Sequence, residues 1–174
     1  MSRMNGTEIL IDLARRPLEA AEHLRGALTP ELLNAHPHHD NSIAWLLWHA
    51  AREIDEQLVA LTGAASVAES GGFAVRFGLN VAPHELGYGH TPEQARGIVV
   101  RDADLLLEYL GAVVAAQVAY LETLDAADLS RIVDERWEPP VTLAARMVSM
   151  SCDAAEHVGQ AAYVAGMGAG AFER

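Results

Sequence analysis

Three long stretches of the chain repeat apolar side chains with a helical period, and this limits the fold more than any other feature. They are residues 42–62 (SIAWLLWHAAREIDEQLVALT), 102–124 (DADLLLEYLGAVVAAQVAYLETL) and 142–167 (TLAARMVSMSCDAAEHVGQAAYVAGM). Such spacing puts the apolar residues on one face and predicts amphipathic helices. Asp40 or Asn41 stands where the first helix needs a cap, and Gly63 where it needs a stop. Asp102 and Asp104 put carboxylates at the positive end of the second. Thr142, after Pro139-Pro140, stands at the cap of the third. A fourth helix covers about 7–27, with Leu10, Leu13, Ala14, Ala21 and Leu24 on its apolar side and Pro17 as a point of kinking or division.

Shorter pieces lie between. Thr29-Pro30-Glu31 and Thr91-Pro92-Glu93 each open a helical turn with Pro at its first position. Residues 63–90 read as a long connection with six Gly, and 131–137 as extended. The expected fold class is all-α, a four-helix bundle with a long crossover connection, forming a single domain over 1–174. Bundles build their sites from inward-facing side chains of neighbouring helices, and a connection of this length is often functional.

Composition narrows the function. A hydrophobic share of 51% excludes intrinsic disorder. No uninterrupted apolar run approaches the roughly 20 residues of a membrane span, and residues 1–20 hold no apolar signal core, so the expected location is cytoplasmic. The one cysteine, Cys152, excludes an internal disulfide and a multi-cysteine zinc site, and reads as a small core residue. All twelve basic residues are Arg against 24 acidic residues, a formal charge of −12. That charge repels nucleic-acid phosphates, and neither a nucleic acid nor a membrane is expected as a partner.

The eight histidines carry the chemistry. Asp153 and His157 stand four apart and project from one helix face, on a line with Arg146, Ser149 and Gln160. On a solvent-facing side they are an ordinary surface pair. On an inward side they need partners, because each unpaired buried polar group costs on the order of 2 kcal/mol, and a metal ion satisfies several at once. His49 sits among Trp45, Leu46, Leu47 and Trp48, so its ring is a half-buried core imidazole or a ligand. Arg52 and Glu53 share its face: Glu53 as an acceptor for the free ring N–H, Arg52 as an anchor for a ligand carboxylate. His36, His38 and His39 read as a solvated turn, while His84 and His90 lie in the long connection.

The segments NSIAWLLWHAAREIDEQLVALTG (41–63) and EHVGQAAYVAGM (156–167) resemble the DinB-like superfamily of metal-binding four-helix bundles. RFGL (76–79), GYGHT (87–91), ADLLLEYL (103–110) and DERWEPPVTL (134–143) resemble more narrowly its actinobacterial branch, grouped with mycothiol-dependent enzymes. The resemblance implies a divalent metal held by His49, Asp153 and His157, with Asp153 where the broader family has His. Two histidines and a carboxylate suit zinc, with nickel or iron as alternatives. It further implies a metal-dependent transferase acting with a low-molecular-weight thiol such as mycothiol on an electrophilic substrate, and a homodimer. Trp45, Arg52, Glu53, Tyr88, Trp137 and Arg146 are the candidate pocket residues, and Leu32, Leu33, Val113 and Val114 candidates for a dimer surface. A hydrolase using no thiol and a non-catalytic binding protein stay open as alternatives.

Overall fold

The computed structural model describes residues 5–37 and 39–168, so His38 lies outside the described residues. In chain order the elements are α1 (Gly6–Glu22), α2 (Pro30–Leu33), α3 (Ile43–Thr62), α4 (Val67–Ser70), α5 (Phe73–Phe77), α6 (Pro92–Arg96), α7 (Ala103–Glu122), α8 (Ala126–Leu129), β1 (Ile132–Asp134), β2 (Val141–Thr142) and α9 (Leu143–Met167). The helix α1 packs on α7 and α9, and α3 packs on the same two. The four long helices therefore close a ring in the order α1, α9, α3, α7, which is the four-helix bundle the periodicity predicts.

Caps set the helix ends. The hydroxyl of Ser42, not Asp40 or Asn41, accepts the Trp45 N–H at 3.1 Å and starts α3. Asp40 is instead turned toward Arg96, 2.6 Å away. Gly63 ends α3 with φ +68°, a left-handed conformation that favours glycine. Asp102 caps α7 and Thr142 caps α9. The first helix runs unbroken through Pro17 and stops at Glu22; the residues expected to extend it form a separate 3-10 turn, Arg25–Ala27.

Leu47, Ile54, Leu110, Met147 and Val158 are fully buried where the helices meet. Leu32, Leu33, Val113 and Val114 belong to this same core, so none of the four is free to form a dimer surface. By length and a mean hydropathy of 1.4, α7 would suit a membrane span, but more than half of that window is buried within the bundle. Its apolar content serves the core. Cys152 is exposed, a correction to its reading as a core residue. Its neighbour Ser151 takes the inward position and accepts from Gln117 of α7 at 3.0 Å.

The long connection is more ordered than its glycine content predicts. Asp55 of α3 accepts the N–H groups of Val67 and Ala68 at 2.7 and 2.9 Å, so a buried carboxylate of the bundle nucleates α4. Beyond α5, residues 79–90 form a strap that returns across α3. The extended segment pairs as a hairpin, β1 against β2, at the entry to α9.

Candidate metal centre

The strap and α3 together orient the first imidazole. His49 is buried, and the Trp45 ring stacks on it with centroids 4.4 Å apart. Its Nδ1 donates to the Leu86 carbonyl of the strap. That bond assigns the proton to Nδ1 and leaves Nε2 with a bare lone pair. Burial lowers the His49 pKa to about 4, and the nearby rings of His157 and His90 push the same way against the opposing Leu86 contact. The ring is therefore neutral near pH 7, the form that binds metals.

The second imidazole comes from α9. His157 lies with its ring centroid 4.6 Å from that of His49. Its Nδ1 lies 3.3 Å from Gln160 Oε1, an acceptor that suits the Nδ1–H tautomer and leaves Nε2 facing the cluster. Ring nitrogens and carboxylate oxygens then face one another at separations longer than a good hydrogen bond. His49 Nε2 is 3.5 Å from Glu53 Oε1, and His157 Nε2 is 3.7 Å from Asp153 Oδ2. One donor atom from each of His49, Glu53 and His157 lies within 4.8 Å of the others. Glu53 Oε2 is buried and has no hydrogen-bond partner among the described residues. A buried carboxylate oxygen without a donor is costly, and a cation relieves it. Two imidazole nitrogens and a carboxylate thus fit a divalent ion.

The residues expected at the site separate into groups. His49, Glu53, His157 and Trp45 come together, with Asp153 beside His157 and its side chain 41% exposed. Glu53, read from sequence as an acceptor behind His49, stands among the possible ligands. Arg52 is turned away. Its Nε donates to the Glu85 carbonyl at 2.9 Å and its Nη2 to the Pro83 carbonyl at 2.6 Å, so it holds the strap. Arg146 joins Gln57 of α3 to Asp134 of the hairpin, at 3.1 Å each. Tyr88 at the strap tip and Trp137 on the hairpin are exposed.

Gly87 and His90 complete the strap's grip. A Cβ on Gly87 would sit 3.0 Å from His49 Nδ1, and its φ of +96° favours glycine as well. His90 Nδ1 accepts from the Trp45 indole N–H at 3.1 Å, holding the ring that stacks on His49. The GYGHT segment signals this strap in the sequence, but nothing in the sequence shows which residues it presses on. On the outer side, a cleft of about 840 Å³ opens at His157, bordered by His39, Asn41, Glu156, Gln160 and Tyr163.

An all-α bundle with an imidazole–carboxylate cluster between two of its helices defines a class of proteins able to hold a metal. Residues 13–161 match the DinB superfamily, and the chain belongs to it. Members of this superfamily are often metal-binding. A solved structure described as the conserved protein of locus from Enterococcus faecalis is similar throughout. It is 34% identical, covers 97% of this chain and 99% of that chain, and superposes with a TM-score of 0.87. A comparison with curated proteins found no match.

Proposed function

We propose that this protein is a metal-dependent transferase acting with a low-molecular-weight thiol such as mycothiol, with zinc as the ion and nickel or iron as alternatives. The observation that carries the metal is Glu53 Oε2, without a partner among the described residues, beside the imidazoles of His49 and His157. The resemblance of RFGL, GYGHT and DERWEPPVTL to the mycothiol-linked branch supports the thiol. His49, Glu53 and His157 form the inner part of the ligand set, and Asp153 joins it from the exposed side.

A bound divalent ion lowers the pKa of a thiol beside it, so that thiolate persists near neutral pH. This chain's residues do the rest. Leu86 and Gln160 fix the two rings, each through its Nδ1. Trp45 covers His49 and keeps water from its inner face. Asn41, Gln160 and Tyr163 offer hydrogen bonds to the polar body of the thiol in the cleft at His157. The reduced thiol pool of the cytoplasm is where such a reaction draws its partner, and we place the protein there as a homodimer.

The test is elemental analysis of untagged protein, followed by turnover of an electrophile panel with and without mycothiol. Turnover that needs both metal and thiol supports the proposal. Metal-dependent hydrolysis that ignores the thiol replaces it with a hydrolase. A metal-loaded protein inert to the whole panel replaces it with a binding protein.

A further inference from the structure

A second cleft, of about 210 Å³, lies on the α7 side of α3, walled by Trp48, Phe77, Leu79, Val81 and Tyr109 and floored by Arg52. None of His49, Glu53, Asp153 or His157 borders it. Its size falls below the roughly 300–1,000 Å³ of drug-sized sites. It exceeds the apolar cavity of about 150 Å³ that suffices for benzene. Three aromatic side chains in the wall suit a single flat ring.

The floor specifies one polar feature of the occupant. The Arg52 side chain is 5% exposed. Its Nε and Nη2 are spent on the strap carbonyls and on Glu56, the last at 2.7 Å. Among the described residues its Nη1 makes one long hydrogen bond, 3.4 Å to the Tyr109 hydroxyl, and stands 3.6 Å from Asp55 Oδ2. A guanidinium Nη carries two N–H groups, and the Tyr109 hydroxyl takes only one of them. A buried cationic side chain in the lining of an apolar cleft therefore has a second N–H to offer an acceptor. Its charge, however, is already balanced. Asp55 and Glu56 both face Arg52, and Glu69 adds a carboxylate among the lining residues. An anion entering here meets more negative than positive charge, whereas an uncharged carbonyl oxygen does not.

We propose that this cleft is a second ligand site, taking a small uncharged aromatic molecule whose carbonyl oxygen accepts a hydrogen bond from Arg52 Nη1. The site stands independently of the metal centre, and its test uses metal-free protein so that the two readings fail separately.

Acetophenone is the probe, with toluene and benzoate as shape-matched controls lacking the acceptor or adding a charge. Binding is followed by NMR titration of the Trp48 indole and the Phe77 ring. Ala74→Leu and Ala82→Leu narrow the cleft from two exposed lining positions outside the metal centre, and melting temperatures within a few degrees of the parent are the expected check on folding. The expected result is saturable acetophenone binding, about 10-fold or more tighter than either control, as a charge-assisted hydrogen bond supplies. Each filled variant weakens it by about 10-fold or more. Absence of saturable binding, equal affinity for toluene or benzoate, or unchanged binding in both filled variants overturns the proposal.

Discussion

One helix carries two buried polar clusters on different sides, and they differ in whether their hydrogen bonds close. Toward α7, both oxygens of Asp55 are taken: Oδ1 by the Val67 N–H, and Oδ2 by the Ala68 N–H and the Tyr109 hydroxyl, all within 2.7–2.9 Å. Burial, with Asp55 adding to it, holds the Tyr109 proton well above the usual phenol range. Toward α9, Glu53 Oε2 has no hydrogen-bond partner among the described residues and lies beside the imidazoles of His49 and His157. A closed carboxylate is a structural fastener, here joining the crossover to the bundle. An open one has the chemistry to hold a cation. The difference separates two residues of α3 that stand only two positions apart.

The largest expected effect breaks the closed cluster. Asp55→Ala strands two backbone N–H groups and the Tyr109 hydroxyl in the interior, and loses about 3 kcal/mol or more in urea denaturation. Metal-free Glu53→Gln, by contrast, changes stability by less than about 1 kcal/mol, because no donor depends on that carboxylate. Equal losses in the two variants would erase the distinction.

The next effect acts on the open cluster alone. His49→Ala weakens metal binding by more than about 100-fold in a metal titration, beyond the loss typical of a supporting partner. Asp153→Asn follows at about 10-fold, since it keeps the shape and removes a charge, and Asp153→His restores binding. Unchanged affinity in Asp153→Asn would take Asp153 out of the ligand set. The smallest effect belongs to the strap. Gly87→Ala pushes against His49 Nδ1 and displaces the Leu86 carbonyl, weakening metal binding several-fold, toward the lower end of the roughly 10–100-fold range for such partners. The stability of Gly87→Ala, followed alongside, separates this from general disruption.

The bundle was legible because its signals are local. Apolar periodicity and the caps at Asp102 and Thr142 locate three long helices to within a residue or two. The short helices α4 and α5 were not legible, since α4 depends on Asp55, twelve or more residues earlier in the chain. At the site, the positions of His49 and His157 follow from helix spacing and resemblance. The place of Glu53 does not. Its spacing from His49 is the same whether it receives a ring N–H or holds an ion, and only the approach of α9 and the direction of Nδ1 toward the strap distinguish the two. Arg52 misleads for a related reason: it shares a face with His49 on a helical wheel, but the carbonyls of Pro83 and Glu85 draw it to the strap.

Whether the open cluster between α3 and α9 holds a divalent ion is decided by calorimetric titration of untagged, metal-free protein with zinc, a polyhistidine tag being excluded because it binds metal itself. Stoichiometric binding is expected in the parent, with its loss in His157→Ala and its retention in Ala74→Leu on the far side of α3. No stoichiometric binding by the parent, or the same affinity in His157→Ala, would contradict it.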